Sequence, residues 1–225
     1  MAEKIIPSDA PVFIAGLGRF GFGVAKSLVR LGHEVLAVDA STDVVQRWST
    51  ELTHVVQADS TDQETLNQLG VGQFDIAVVG IGNDIEASVL TVMSLSELGV
   101  TEIWAKAING KHARILERIG ATHVVRPEAE MGQRVAHMVT GAMMDYMEFS
   151  DGFAMARTRA PLEAAGKTLE KSALRSKYGV TVVGVKRHNE DFTYARPETQ
   201  IEIEDELIVS GPTAKVEKFC AVTHH

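Results

Sequence analysis

Residues 12 to 31 constrain this chain more than any others. Val12-Phe13-Ile14-Ala15 is a short apolar run that leads straight into Gly16-Leu17-Gly18-Arg19-Phe20-Gly21. Phe20, Val24, Leu28 and Leu31 then recur at helical spacing. A buried strand, a glycine-rich turn and a helix open a nucleotide-binding βαβ unit. Gly16 permits the tight turn, Gly18 lets a phosphate approach the backbone, and Gly21 lets the helix pack close to the strand. The helix start offers free N–H groups and the positive end of its dipole to an anion. Asp39 ends the next apolar run, 18 residues beyond Gly21. A carboxylate there accepts hydrogen bonds from ribose hydroxyls and repels a 2′-phosphate. The ligand it suits is NAD(H) or an adenosine phosphate, and NADP is disfavoured.

The alternation continues. Strands are expected at Glu34–Val38, His54–Val56, Asp75–Val79, Glu102–Ala105 and Thr122–Val125, with helices over 42–50, 62–69, 84–98 and 111–118 between them. Six strands alternating with helices imply a Rossmann-like, doubly wound α/β fold with one parallel sheet. Residues 128–149 read as one long helix, with Met131, Val135, Met138, Val139, Ala142 and Tyr146 on one stripe. Ser150-Asp151-Gly152 reads as a linker. Beyond it the alternation stops. Strands at 153–160, Val180–Val185, Phe192–Tyr194 and Glu206–Val209, with helices over 168–177 and 213–220, make a small α+β lobe. The expected organisation is residues 1–149, including the crossover helix at about 128–149, followed by residues 150–225.

Three other strand ends carry suitable side chains. Asp59 reaches the adenine rim, and Ser60 or Thr61 caps the following helix. Gly80-Ile81-Gly82-Asn83 lets a ligand lie across the strand ends, where ligands of such sheets bind. Lys106 follows the fifth strand, and Glu128 opens a helix as either a dipole-favoured acid or a contact to nucleotide or cation. Arg19 stands inside the phosphate turn, where a guanidinium meets a terminal phosphate; a solvated arginine is the plainer alternative.

Charge and composition remove other classes. Against 22 basic residues stand 30 acidic ones, a net charge of −8, and a field of that sign repels nucleic-acid backbones. The lone Cys220 forms no intrachain disulfide and no cysteine-based zinc site. No 18-residue apolar stretch occurs, and Met1–Asp9 carries no signal-peptide core. Hydride transfer needs a substrate compartment with a proton donor. The remaining lobe of roughly 75 residues offers His188 in a polar turn, and no G-x-S-x-G or H-E-x-x-H motif is present. The expectation is a nucleotide sensor and no enzyme, with an NAD(H) redox sensor or small NAD-dependent oxidoreductase as the alternative.

The glycine turn, Gly32-His33-Glu34-Val35-Leu36-Ala37-Val38-Asp39 and Asp59-Ser60-Thr61 resemble the RCK (regulator of potassium conductance) family, in its KtrA/TrkA type of cytosolic regulatory subunit. The likeness continues through Ile103–Ala107, Leu116–Ala121 and Pro127–Gly132, and weakly in Lys177-Tyr178-Gly179. It implies a Rossmann-like N-lobe, a crossover helix and a small C-lobe. It also implies homodimers that assemble into an octameric ring. The ring sits in the cytoplasm, peripheral on the inner face of the membrane, docked on a separate potassium-translocating subunit of the KtrB/TrkH type. ATP and ADP favour different ring shapes in the family, and NAD(H) binding belongs to related proteins. By position, the resemblance assigns Gly16, Gly18, Phe20 and Gly21 to the phosphate turn and Arg19 to a terminal phosphate across the dimer. It gives Asp39 to the ribose, Gly80, Ile81 and Gly82 to the adenine side, and Lys106 and Glu128 to the phosphates, Glu128 with Mg²⁺ or Ca²⁺. It further implies a cyclic di-AMP site at Arg175 and Pro197, although Leu169–Leu174 is more polar than the family pattern.

Overall fold

The computed structural model describes residues 9–139, 143–149 and 151–223. Contacts divide the chain into two units, one ending at Glu128 and the other beginning at Ala129.

The first unit alternates strands β1 (Val12–Ala15), β2 (Val35–Asp39), β3 (His54–Gln57), β4 (Ile76–Val79), β5 (Glu102–Lys106) and β6 (His123–Val125) with helices. The helices are α1 (Arg19–Arg30), α2 (Thr42–Trp48), α3 (Gln63–Gln68), α4 (Ile85–Glu97) and α5 (Gly110–Arg118). All six strands are parallel, in the order β3-β2-β1-β4-β5-β6. The Rossmann-like sheet expected from the alternation is therefore present.

Its central strands are buried on both faces, as parallel sheets require. Val12 and Ile14 of β1 pack with Ala25 of α1 and Trp48 of α2. Phe13 and Ala15 point the other way, to Leu66, Val92, Leu95 and Leu116 of α3, α4 and α5. The order reverses between β1 and β4, because the chain leaves β3 on one face and returns beside β1 on the other. That reversal opens a crevice at the carboxyl ends of the two strands.

The helix starts show why the elements begin where they do. Ser41, Asp62, Asp84 and Asn109 each accept a backbone N–H at the first turn of α2, α3, α4 and α5. Such a cap is worth roughly 1 kcal/mol. The cap of α3 is Asp62, not Ser60 or Thr61; its carboxylate accepts from Glu64 and Thr65 N–H.

The single helix expected over 128–149 is not formed. Helix α6 spans Pro127–Val139, and Asp145–Glu148 is a strand, β7. Ala142 of the apolar stripe lies outside the described residues. The linker reading also gives way. Phe149 N–H donates to Phe153 O, Gly152 N–H donates to Phe149 O, and Gly152 has φ +76°. These bonds join the ends of β7 and β8 (Phe153–Arg159), which pair antiparallel; Ser150 lies outside the described residues.

The second unit holds β7 and β8 in an antiparallel sheet with β9 (Thr181–Lys186), β10 (Phe192–Tyr194) and β11 (Glu206–Pro212), ordered β10-β9-β11-β8-β7. Its helices are α7 (Leu169–Ser172), α8 (Leu174–Tyr178) and α9 (Thr213–Val222). The helix expected over 168–177 is broken at Ala173, whose φ is +53°. Phe219, Leu207, Val209 and Ile201 are fully buried in this unit's own core.

Candidate functional site

A cleft of about 480 Å³ lies at the carboxyl ends of β1, β2, β3, β4 and β5, at the point where the strand order reverses. It is lined by Gly16, Gly18, Arg19, Phe20, Asp39, Asp59, Ser60, Thr61, Gly80, Ile81, Gly82, Lys106 and Glu128 from the residues expected. Asn83 joins them, and so do Ala40, Val44, Asp84 and Ala87, which sequence reasoning did not single out. Their signal was the helix cap: Val44 N–H meets Ser41, and Ala87 N–H meets Asp84 at 3.0 Å. The starts of α2 and α4 border the cleft, whereas no residue of the equally capped α3 or α5 lines it.

Gly21 is the expected residue that does not line the cleft. It works behind it. A Cβ on Gly21 would lie 1.9 Å from Gly16 O, so α1 reaches β1 only with glycine at this position. Gly80 closes the same contact from β4, where a Cβ would come within 2.8 Å of Gly16 O and 3.0 Å of Gly21 Cα. Gly16 itself holds φ +89°, a conformation glycine adopts without strain. Gly18 differs from all three: a Cβ there meets nothing within 4 Å and would project into open space.

Helix α1 starts without a side-chain cap and without an acidic residue in its first turn. Its first N–H groups are therefore left for a ligand or water. Exposed Arg19 is the first residue of this helix. Lys106 reaches the same end of the cleft. Its ammonium donates to Glu128 Oε1 at 2.7 Å and lies 5.9 Å from the Phe20 ring centroid. The hydrogen bond from Lys106, reinforced by Glu128's own backbone N–H and the Arg19 charge, holds the Glu128 carboxyl below the usual carboxylate range. Glu128 is 67% exposed, so the pair is open to exchange with a ligand.

Asp39 does two things. Its Oδ2 accepts from Leu17 N–H at 2.7 Å, pinning the glycine turn to β2, and its Oδ1 accepts from Ser41 N–H at 2.9 Å. Each oxygen keeps a further lone pair for a ribose hydroxyl. Asp59 Oδ1 accepts from Thr61 N–H and Oγ1 at 2.9 and 2.7 Å, so that rim is a self-bonded turn. Ser60 is buried, with its hydroxyl 2.9 Å from that of Thr91. The arrangement has a cationic, N–H-rich end and a carboxylate end, which is what a phosphorylated nucleoside presents in reverse.

Among the described residues, no group of three or more His, Cys, Asp or Glu side chains is placed to hold a metal ion. Glu128 offers one carboxylate, so a divalent cation held there would need most of its ligands from elsewhere. In the second unit, Arg175 on α8 and Pro197 are exposed, and Pro197 O accepts from Glu170 N–H. Neither lines that unit's polar cleft, which is formed by Arg157, Arg159, Lys186, Arg187, Glu204 and Glu206 with His188 and Asn189. No helix of the described residues is long and apolar enough to cross a membrane.

Comparison with known proteins agrees with this layout. A TrkA-N domain model matches residues 12–127 and a TrkA-C domain model matches residues 157–224. The chain is 40% identical over 207 residues to Ktr system potassium uptake protein C of Bacillus subtilis (strain 168), covering 92% of this chain and 94% of that protein. It is 35% identical over 207 residues to Ktr system potassium uptake protein A of the same organism, covering 92% and 93%. Its fold resembles that of the GsuK channel bound to NAD, with a TM-score of 0.63 at 19% identity, over 94% of this chain and 39% of the channel chain. The chain thus spans about two fifths of that channel's length.

Proposed function

The chain belongs to the RCK family of TrkA-N/TrkA-C proteins, the regulatory subunits of potassium uptake systems, and from that premise we propose that it senses ATP and ADP and thereby gates a separate membrane subunit that translocates potassium. The observation that carries this reading is the polarity of the cleft. The uncapped start of α1, Arg19 and Lys106 form a phosphate end, and Asp39 with the Asp59–Thr61 rim forms a nucleoside end.

A regulator responds to two ligands only through contacts that differ between them. ATP and ADP differ by a γ-phosphate, and in this reading Arg19, exposed at the start of α1, reads it in its own protomer or from a neighbour. In this reading the protomers pair and close into an octameric ring on the cytoplasmic face of the membrane, against a partner of the KtrB/TrkH type. Glu128 would supply the protein carboxylate for a Mg²⁺ or Ca²⁺ that accompanies the nucleotide, and such an ion would offset phosphate charge. A coupling of about 1–3 kcal/mol between nucleotide and ring shape corresponds to a 5- to 150-fold change in relative affinity. The chain acts as a sensor and catalyses no reaction. Cyclic di-AMP at Arg175 and Pro197 would be a second input to the same ring.

NAD(H) is the competing ligand, since Asp39 serves an NAD ribose equally well and a fold neighbour is described bound to NAD. Thermal unfolding and assembly size, measured with ATP, ADP, NAD⁺ and NADH with and without Mg²⁺, separate the two. A ligand that binds the folded state raises the midpoint with its concentration over Kd. Shifts with ATP and ADP, and a different assembly for each, are expected. Arg19→Ala should narrow the ATP/ADP preference and leave adenosine recognition intact. A shift with NAD(H) alone would overturn the adenine-nucleotide reading.

A further inference from the structure

The rim that follows β3 is held from behind. Asp59 and Thr61 bond each other, but Ser60 turns inward and meets Thr91 of α4 at 2.9 Å between hydroxyl oxygens. Ser60 is 7% exposed and Thr91 is fully buried. Thr91 follows Ala87 by four residues, so the two share a helix face, and Ala87 lines the cleft. The bond therefore runs just beneath the cleft, from the crossover that leaves β3 to the helix that follows β4.

Three features make this more than packing. A threonine inside a helix usually returns its hydroxyl to the carbonyl four residues back, whereas Thr91 directs it across to another element. Threonine is also a poor helix former, and valine would fill the same space. Finally, Thr91 is fully buried and Ser60 nearly so, and removing one hydroxyl of such a pair leaves the other without its partner.

We propose that Thr91 is a positioning residue for the cleft: by holding Ser60 from α4 it sets the Asp59–Thr61 rim against Asp39, and so selects ligands that carry a nucleoside over bare polyphosphates. Thr91 does not line the cleft, so its effect passes through Ser60. The phosphate end, built on the glycine turn, does not depend on this bond. The inference rests on the reading of the cleft as a nucleotide site.

The test is isothermal titration of the full chain with ATP, ADP and NAD⁺, and with inorganic triphosphate as a probe without a nucleoside. Thr91→Val keeps the branched shape and removes the hydroxyl. It should weaken nucleotide binding about 5-fold or more, the low end of the cost of an unsatisfied buried partner, and leave triphosphate within 2-fold, roughly 0.4 kcal/mol. Thr91→Ser restores the hydroxyl and should return nucleotide affinity to within about 3-fold of the wild type. Ser88→Ala is the control for losing a buried hydroxyl on the same helix, since Ser88 Oγ has no partner; it should bind as the wild type does. Should Thr91→Val fail to fold, Ser60→Ala removes the same bond from the loop side and must show the same split between nucleotide and triphosphate. The proposal is overturned if Thr91→Val binds nucleotides as the wild type does, if triphosphate weakens equally, or if Thr91→Ser is no better than Thr91→Val. A wild type that binds no nucleotide at all would instead refute the reading of the cleft.

Discussion

Two glycines three residues apart should fail in opposite ways when each becomes alanine. A Cβ on Gly21 would sit 1.9 Å from Gly16 O and 3.1 Å from Gly16 C, both backbone atoms. An ordinary contact begins at 3.4 Å, so α1 has to move by about 1.5 Å from a turn held at Gly16 by φ +89° and by its N–H, which donates to Val38 O of β2. Gly80 Cα lies 3.7 Å away, already at ordinary contact distance. Overpacking of this kind costs about 1–3 kcal/mol, and a clash with backbone, which cannot swing aside, puts Gly21→Ala at the upper end. For a chain of this size, ~3 kcal/mol lowers the melting temperature by roughly 6–12 °C. Gly18→Ala is the counterpart. Its φ of −62° suits any residue, and its Cβ meets nothing. The entropy gained from restricting the unfolded chain, about 0.4–1 kcal/mol, offsets the poorer helix cap. Its melting temperature should stay within about 4 °C of the wild type. The new methyl instead occupies the space through which a phosphate approaches α1, so ATP and NAD⁺ affinity should fall about 10-fold or more. Thermal unfolding paired with titration reads both quantities. A Gly21→Ala protein that melts with the wild type, or a Gly18→Ala protein that melts far lower while binding normally, would refute the assignment of one glycine to packing and the other to the ligand.

Four further outcomes follow from named contacts. Asp39→Asn turns an amide NH₂ toward either Leu17 N–H or Ser41 N–H, so it should lower the melting temperature as well as nucleotide affinity, by about 1–3 kcal/mol for the opposed donors; unchanged melting would show that Asp39 does not brace the turn. Glu128→Gln removes the negative charge beside Lys106 and keeps an acceptor oxygen, so ATP binding without a divalent cation should tighten and its response to Mg²⁺ should shrink; titrations with and without Mg²⁺ that match the wild type would exclude that role. Burial pushes the Cys220 thiol up to about 11, so at pH 8 a thiol reagent should label it only as the chain unfolds, and prompt native labelling would contradict its placement. Burial likewise holds the His112 imidazole below its ordinary value of 6.5. The unfolded chain then binds the proton first as pH falls, so stability should drop progressively below about pH 6.5; melting curves at pH 7.5 and 5.5 for the wild type and His112→Gln should show a smaller acid loss in the variant.

Much of the cleft could be read from sequence because topology does the assembling. In an open parallel sheet every strand ends on the same side, so Gly16, Asp39, Asp59, Gly80 and Lys106 needed only to be recognised as strand ends to be brought together. What stayed hidden depends on partners far away in the chain. Gly80 reads as room for a ligand, yet its tightest constraint is the backbone of Gly16 and Gly21. Ser60 reads as a helix cap, but its hydroxyl is spent on Thr91, 31 residues on, and the cap passes to Asp62, whose carboxylate accepts two N–H groups.

The region after Pro127 shows a different limit, one of periodicity itself. Met131, Val135 and Val139 do lie on α6, but all three are exposed, at 51%, 41% and 79%. Tyr146 appeared to extend their stripe and is instead a buried strand residue paired with Ala156. A spacing of three or four residues cannot distinguish a helix face from a strand once the element has changed between the marks. The better signal was local. Phe149 and Phe153 flank a turn containing Asp151 and Gly152, and an aromatic on each side of Asp-Gly is a hairpin signature. The same signature explains why Asp145–Glu148 is not helical: once β7 pairs with β8, it has ladder partners in place of helical ones, and its backbone N–H and C=O groups are satisfied by the sheet.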